Sequence, residues 1–455
     1  MKRTVSNMPK RLFGTDGIRG VAGEFPLDQA TVFACGVALA DDAKLHSPDP
    51  EVLIGMDTRE SGNWIASYVA AGLASRGVRT RFAGVITTPG IAYLTKTYDF
   101  VAGVMISASH NQYQDNGIKV FGHSGYKLPD EEEHAIEEEI FRLLEQGVSP
   151  RGLPLEEDAG LDQHYVRHLL ETSSTSLAGM KVVLDCGHGA AYALAPDLFR
   201  RAGANVETVC CEPNGRNINL DCGALHVGNV REAVLAKGAD VGVAFDGDAD
   251  RAMFISKTGH LVDGDAVLLI AARALKRAGR LSQDTVVSTV MANLGLEEAL
   301  ARESIRMLRT AVGDKYVLEE MIRSGAVLGG EQSGHIIFHE LATTGDGLLT
   351  ALQVLEISRL AGLGLDELVS GMQLYPQKLV NIRVKEKKPL EDLGSVQAAI
   401  RECERELDGA GRILVRFSGT EPLARVMVEA PETAQVEGFT ARIAAAIERE
   451  LGSGV

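Results

Sequence analysis

The chain has 455 residues, 45% of them apolar and 24% charged, proportions of a soluble globular protein with material for about three domains of roughly 150 residues. Its 49 glycines, spread without low complexity, exclude collagen-like and disordered chains and point to tight turns and close backbone approaches to ligands. Lys plus Arg total 46 against 62 Asp plus Glu, a net charge of −16; this lacks the electrostatic footprint of a nucleic-acid binder, and an anionic substrate would need a local cation cluster or a bound cation.

Cys35, Cys186, Cys210, Cys211, Cys222 and Cys403 form no CxxC pair and read as reduced core thiols of a cytosolic protein. The basic N-terminal stretch has no apolar h-region. No apolar run approaches the roughly 18 residues of a membrane span. The expected address is the cytoplasm, with no membrane and no nucleic-acid partner.

Short apolar runs alternate with amphipathic helices, which predicts α/β architecture. Val52–Met56 is a buried strand, followed by a helix with Ile65, Tyr68, Val69, Gly72 and Leu73 at helical spacing. Val101–Ile106 is a second strand, ending in the polar turn Ser107–Asn111. Residues 129–140 carry seven acids, yet Ile136, Ile140, Leu143 and Leu144 keep helical spacing, so an exposed helix with an acid-rich N-terminus is expected. Val182–Leu184 leads into Asp185-Cys-Gly-His-Gly189, and Val241–Phe245 ends at Asp246. The recurring form is strand, polar loop, helix, and ligands of open α/β sheets bind beyond the strands' carboxyl ends. Composition shifts at Gln146–Asp162 and Leu360–Pro376 mark boundaries. Beyond the second, strands Leu379–Val384, Arg412–Arg416 and Arg425–Glu429 precede a helix with Phe439, Ile443, Ile447 and Leu451 on one stripe, a small α+β domain.

Asp246-Gly-Asp248-Ala-Asp250-Arg251 is the strongest local signal. Three carboxylates within five residues suit a hard cation with oxygen ligands, Mg²⁺ above all, and hence a phosphate ester. An EF-hand does not fit, because the sixth position is Arg251 and the twelfth Lys257. An Asp-rich turn closed by Asx bonds is the alternative. Ser109, in Ile106-Ser-Ala-Ser-His-Asn111 with Asn116-Gly-Ile-Lys119 downstream, is placed as an exposed nucleophile or as a capped turn. In an extended chain His110 would point away from it. No GxSxG or SxxK occurs, so a carrier of a phosphoryl group suits this serine better than an acyl nucleophile.

Arg416-Phe-Ser-Gly-Thr-Glu-Pro422 with Arg425 brackets hydroxyls and a glycine N–H with two guanidinium groups, a phosphate grip that needs no metal. A glycine turn with solvated arginines would read the same. Gly329-Gly-Glu-Gln-Ser-Gly-His335 offers a carboxylate and a hydroxyl for sugar hydroxyls, and Gly14-Thr-Asp-Gly-Ile-Arg-Gly20 adds the cation Arg19; plain turns would explain both equally well. One site using all these segments would lie in an interdomain cleft.

Taken in order, GTDGIRG, SASHN with DNGIK, DGDADR, GGEQSGH, TTGDG at 343–347 and RFSGTEP resemble the α-D-phosphohexomutase superfamily over essentially the whole chain. GTDGIRG and SASHN favour its glucosamine branch. The resemblance implies three related α/β domains with mixed sheets around a central cleft plus a smaller C-terminal α+β domain. These would be 1–155 with the serine loop, 156–255 with the metal loop, 256–370 with the sugar-binding loop and 371–455 with the phosphate-binding loop. It implies interconversion of D-glucosamine 6-phosphate and D-glucosamine 1-phosphate through phospho-Ser109 and a hexose 1,6-bisphosphate, feeding UDP-N-acetylglucosamine and cell-wall precursors.

Ser109, Asp246, Asp248 and Asp250 would hold one Mg²⁺, with Lys119, Arg19 and Arg251 around the transferring phosphoryl and Lys119 as proton shuttle. Glu331, Ser333 and His335 would contact sugar, and Arg416, Ser418, Gly419, Thr420 and Arg425 the other phosphate. A homodimer is compatible with the same resemblance. Departures are Gln112 where the family has Pro, Cys186-Gly-His-Gly-Ala190 for CANGA, and Cys222-Gly-Ala-Leu-His226 for CGSTH. Two alternatives compete: a phosphomannomutase/phosphoglucomutase of the same superfamily, and a haloacid-dehalogenase-like phosphatase or mutase with Asp246 as nucleophile.

Overall fold

The computed structural model describes residues 12–14, 16–418 and 422–452. Gly419 and Thr420 therefore lie outside the described residues. The chain divides into two compact units, one running to Val290 and including Met307–Ser370, the other comprising Met291–Arg306 and the chain from Gly371.

The first sheet of the larger unit holds β1 (Phe13–Gly14), β2 (Gly17–Val21), β3 (Glu51–Met56), β4 (Arg79–Val85), β5 (Ala102–Ile106) and β6 (Asp115–Gly122) in the order β1-β2-β6-β5-β3-β4. β3 runs parallel to β4 and β5, whereas β6 pairs antiparallel with β5 and β2. Helices Gln29–His46 and Gly62–Ser75 pack together and bury nearly all their apolar side chains. Gly36 and Gly72 permit this approach, since a Cβ on Gly36 would sit 2.2 Å from the Val69 carbonyl oxygen. Asp28 caps the first of these helices by accepting from the Ala30 and Thr31 N–H groups.

The acid-rich run forms the helix Asp130–Gln146 with four acids in its first turn. It is not wholly exposed, as the sequence suggests. Glu137 is buried and its carboxylate accepts from the Leu12 and Phe13 N–H groups, so one acid ties the chain start to the helix.

The second sheet, ordered β11-β10-β9-β7-β8, contains β7 (Lys181–Asp185), β8 (Asn205–Val209), β9 (Val241–Phe245), β10 (Ala252–Ser256) and β11 (Leu261–Val262). Its centre is parallel, β7 with β8 and β9, and its edge antiparallel, β9 with β10 and β10 with β11. All five residues of β9 are buried, which explains its unbroken apolar run. The third sheet orders β12 (Thr285–Thr289), β13 (Arg306–Thr310), β14 (Leu328–Gly330) and β15 (Ile336–Phe338) as β13-β12-β14-β15, again with a parallel pair, β12–β14, beside an antiparallel one, β14–β15.

The smaller unit is built on an antiparallel sheet of β16 (Gln377–Arg383), β18 (Leu423–Glu429) and β17 (Arg412–Phe417). Helix Thr433–Leu451 lays Phe439, Ile443, Ile447 and Leu451 into its core, as the spacing predicts. Among the described residues no helix is long and apolar enough to cross a membrane.

Candidate active site

In the larger unit the loops leaving β5 and β9 meet. Ser109 sits just beyond β5 with φ +53°, a left-handed turn costly for a non-glycine residue and therefore held by its surroundings. Its N–H donates to Ser107 Oγ at 2.9 Å, and Ser107 Oγ donates to Asp57 Oδ2 at 2.6 Å. Arg59, 1% exposed, pairs with the same Asp57 oxygen at 2.9 Å and donates to the carbonyls of Ser109, Asn111 and Gln112 at 2.9, 2.9 and 2.6 Å. Asn219 Nδ2 reaches the Ser109 and Asn111 carbonyls at 2.9 and 3.0 Å.

Against this loop lies the Asp246–Arg251 turn, and Gly247 permits the contact: a Cβ there would be 2.5 Å from the Ser109 carbonyl oxygen. Ser109 Oγ donates to Asp246 Oδ2 at 2.7 Å. The turn at Ser109 also brings His110 Nδ1 to 3.3 Å from Oγ, so the extended-chain expectation for His110 is corrected. Burial, then Arg251 and Arg19, push the His110 imidazole down to about 4.

The carboxylate oxygens of Asp246, Asp248 and Asp250 lie within 4.8 Å of one another, all three residues buried. Burial and the neighbouring Asp250 and Asp248 carboxylates push the Asp246 carboxyl well above its ordinary range. Asp248 Oδ1 and Asp250 Oδ1 are buried without a hydrogen bond among the described residues. Converging, dehydrated carboxylate oxygens of this kind fit a hard divalent cation.

Lys119, 1% exposed, lies 2.8, 3.0 and 3.5 Å from the carboxylates of Asp248, Asp16 and Asp250. Burial works against its ammonium, but Asp16, Asp248 and Asp250 outweigh that and raise its pKa. Burial likewise opposes ionisation of Asp248, yet Lys119 and a 2.5 Å hydrogen bond from Thr88 Oγ1 bring it down to about 2. Arg19 pairs with Asp16, and Lys127 bridges Asp16 and Asp314 at 2.5 Å each. Arg251 Nε lies 4.0 Å from Asp246 and 3.8 Å from Asp250.

The Gly329–His335 loop packs on the start of β10, where the Ala252 N–H donates to the Gly334 carbonyl at 3.1 Å. Glu331 accepts from the Gly313 N–H at 3.1 Å, and its charge acts on Arg251. Ser333 Oγ and both His335 ring nitrogens are buried without hydrogen bonds among the described residues, His335 Nε2 lying 3.8 Å from Asp314.

The larger unit thus assembles Ser109, Lys119, Arg19, Arg251 and the three aspartates, with the 331–335 loop beside Arg251. Sequence reasoning passed over Asp57, Arg59, Thr88, Asp16 and Asn219. Asp16 lay inside the GTDGIRG loop, where only Arg19 drew a role, and Asp57 and Arg59 carried a signal of their own: a polar Asp-Thr-Arg directly after the buried strand β3.

In the smaller unit, Arg416 and Arg425 are cross-strand partners on β17 and β18. Burial and then Arg425 lower the Arg416 pKa, as for two like charges that an anion would relieve. Ser418 is buried, its N–H donating to the Leu423 carbonyl at 2.8 Å and its carbonyl accepting from Lys387 Nζ at 2.6 Å.

Four family descriptions match the chain: phosphoglucomutase/phosphomannomutase alpha/beta/alpha domain I at residues 10–147, domain II at 163–259, domain III at 263–375 and the C-terminal domain at 379–446. A phosphoglucosamine mutase of Solibacter usitatus is 64% identical over 98% of this chain and all of its own length. One from Koribacter versatilis is 50% identical over 99% of both chains. Among solved structures, a putative phosphomannomutase from Thermus thermophilus superposes with TM-score 0.77 at 23% identity, covering 97% of this chain and 99% of its own. An Aspergillus fumigatus N-acetylphosphoglucosamine mutase, in complex with GlcNAc-6P and magnesium, gives 0.67 at 19%, covering 97% and 96%. These last two likenesses concern the fold alone, whereas the near-full-length identities reach further. With four domain matches and two such relatives, the chain belongs to the phosphoglucosamine mutase family of the phosphoglucomutase/phosphomannomutase superfamily.

Proposed function

We propose that Ser109 is the phosphoryl carrier through which this isomerase interconverts D-glucosamine 6-phosphate and D-glucosamine 1-phosphate. The observation that carries the reading is Ser109 Oγ, held in a left-handed turn and 2.7 Å from Asp246 at the edge of a buried three-carboxylate cluster. Asp246, Asp248 and Asp250 are assigned to hold Mg²⁺, together with an oxygen on Ser109. When bound, that ion supplies neutralisation of charge on the transferring phosphoryl.

In the first half-reaction the sugar O1 attacks phospho-Ser109. The P–Oγ bond breaks, the P–O1 bond forms, and a 1,6-bisphosphate results. One proton leaves the sugar hydroxyl and one is taken up at Oγ; the Lys119 ammonium is assigned to give a proton to Oγ as the P–Oγ bond breaks and to take the sugar proton in its place. After the sugar turns over, Ser109 Oγ accepts the phosphoryl from O6 and the same exchange runs in reverse, leaving the 1-phosphate. Arg19 and Arg251 flank the phosphoryl as fixed cations. Arg59 and Asn219 hold the Ser109 and Asn111 carbonyls, so attack meets a preset geometry. Glu331, Ser333 and His335 are assigned to sugar hydroxyls, and Arg416, Ser418, Gly419, Thr420 and Arg425 to the phosphate not being transferred.

Family membership removes the haloacid-dehalogenase-like reading, in which Asp246 would be the nucleophile. Parallel assays of glucosamine, glucose and mannose 6-phosphates test the substrate. Turnover should be fastest with glucosamine 6-phosphate and lost in Ser109→Ala; a preference for mannose or glucose 6-phosphate would overturn the assignment.

A further inference from the structure

The cysteines are not uniformly core thiols. Cys35, Cys186, Cys222 and Cys403 are buried, but Cys210 and Cys211 are half-exposed, and four of the six gather with His188 at the carboxyl ends of β7 and β8. Cys211 Sγ lies 3.2 Å from Cys186 Sγ. Separately, one ring nitrogen of His188 and the sulfurs of Cys210 and Cys222 all lie within 4.8 Å of one another.

The backbone presents this triad. His188 and Cys210 both adopt left-handed φ, +49° and +48°, conformations costly for non-glycine residues and retained where the surroundings impose them. The His188 N–H donates to the Cys210 carbonyl at 2.7 Å, which locks the two turns together. His188 Nδ1 accepts from the Glu212 N–H at 3.2 Å, holding the ring against the same segment, and Asn229 Nδ2 lies 3.4 Å from Cys210 Sγ. An open surface pocket of about 460 Å³, lined in part by His188, Cys210, Cys211, Arg200 and Thr208, gives access from solvent.

We propose that His188, Cys210 and Cys222 form a second metal site, for a thiophilic divalent cation of the Zn²⁺ class. Two thiolates and an imidazole select such an ion over Mg²⁺, which takes oxygen ligands. In a tetrahedral site with Zn–S about 2.3 Å and Zn–N about 2.0–2.1 Å the donors stand about 3.5–3.8 Å apart. Three atoms within 4.8 Å of one another stand at most about 1 Å outside that spacing, and Nε2 is the His188 nitrogen left to bind, since Nδ1 accepts the Glu212 N–H. Binding forms two metal–sulfur bonds and one metal–nitrogen bond and releases the two thiol protons to solvent. A solvent molecule takes the fourth position from the pocket side.

The site ties β7's loop to the segment that braces the serine turn. The Asn219 N–H donates to the Gly187 carbonyl at 2.8 Å, Thr58 Oγ1 to the His188 carbonyl at 2.6 Å, and the Ala190 N–H to the Gly247 carbonyl at 2.8 Å. A cation here fixes Asn219, and through it the Ser109 carbonyl, without touching substrate.

The test uses the full reduced chain, stripped of metal, in excess Mg²⁺ so that the aspartate cluster is saturated, and titrated with Co²⁺. Thiolate-to-cobalt charge-transfer absorption should grow to one equivalent and vanish on addition of one equivalent of Zn²⁺. Cys210→Ser and His188→Asn, both at half-exposed positions, should weaken binding at least tenfold, while Cys211→Ser keeps the full band. A chain that develops no thiolate band, or a band that survives in Cys210→Ser and His188→Asn, overturns the proposal. So does a band lost in Cys211→Ser but kept in Cys210→Ser, which would put the ion on the Cys186–Cys211 pair. The readout is independent of turnover, so the mutase reading can fail while this site stands, and the reverse.

Discussion

Arg59→Met removes a buried guanidinium from four acceptors, but the four losses are unequal. The Ser109 and Asn111 carbonyls keep Asn219 as a donor, and the Gln112 carbonyl keeps the Asp115 N–H at 3.2 Å. Asp57 keeps Ser107 Oγ and the residue-59 N–H but loses its only ion-pair partner among the described residues. The cost is therefore that of breaking one buried ion pair, about 3–5 kcal/mol, rather than the sum of four hydrogen bonds.

Burial already holds the Asp57 carboxyl above its ordinary range despite Arg59, and without Arg59 it rises further. A carboxyl with a folded-state pKa above its unfolded value, about 3.9, takes stability away as pH climbs from the unfolded to the folded value. Arg59→Met should therefore be less destabilised at pH 5 than at pH 8. The sole tryptophan, Trp64, lies on the helix just after Arg59, so urea unfolding followed by its fluorescence reports this domain. Adding Asp57→Asn should recover about 0.5–3 kcal/mol relative to additivity. A loss under about 0.5 kcal/mol at pH 8, within the range of ordinary surface substitutions, or a loss that grows as pH falls, would refute the reasoning.

Three further outcomes follow from the same geometry. Asp248→Asn should abolish Mg²⁺-dependent turnover with near-UV circular dichroism unchanged; a variant as active as the parent would remove Asp248 from the metal cluster. Arg416→Ala should raise KM for both glucosamine phosphates roughly 10–100-fold, the worth of one charged hydrogen bond of about 1.5–3 kcal/mol, and an unchanged KM would take Arg416 off the phosphate. Gly247→Ala should lower kcat about a hundredfold, as expected for displacement of a reacting group by about an ångström, because its Cβ would meet the Ser109 carbonyl oxygen at 2.5 Å; full activity would show that the serine loop tolerates the shift.

The parts of this fold written in local pattern were legible. β9 declares itself because all five residues are buried, and the last helix because its stripe repeats at helical spacing. The polar loops after β5 and β9 stood out through dense, chemically paired side chains. What stayed hidden depends on distant segments converging. Arg59 reaches carbonyls 50 to 53 residues away, and Asn219 meets Ser109 across 110; nothing in either neighbourhood announces the partner. His110 was misplaced for another reason. Its orientation follows from φ +53° at Ser109, a conformation that serine does not advertise. Glu137 looked like one acid among seven until its carboxylate met the Leu12 and Phe13 N–H groups. The thiol cluster escaped for the same reason as Arg59, since Cys222 joins His188 and Cys210 only once the loops after β7 and β8 have folded together.

The central claim is that one hydroxyl holds the phosphoryl between the two half-reactions, and intact mass spectrometry of the full chain addresses it directly. The account predicts that the purified chain carries a fraction one phosphoryl group heavier, that peptide mapping puts it on Ser109, and that stoichiometric glucosamine 6-phosphate discharges it with formation of the 1,6-bisphosphate. Ser109→Ala should show neither the heavier species nor turnover. A Ser109→Ala chain that still interconverts the two phosphates, or a phosphoryl released by hydroxylamine as an acyl phosphate would be, contradicts the account.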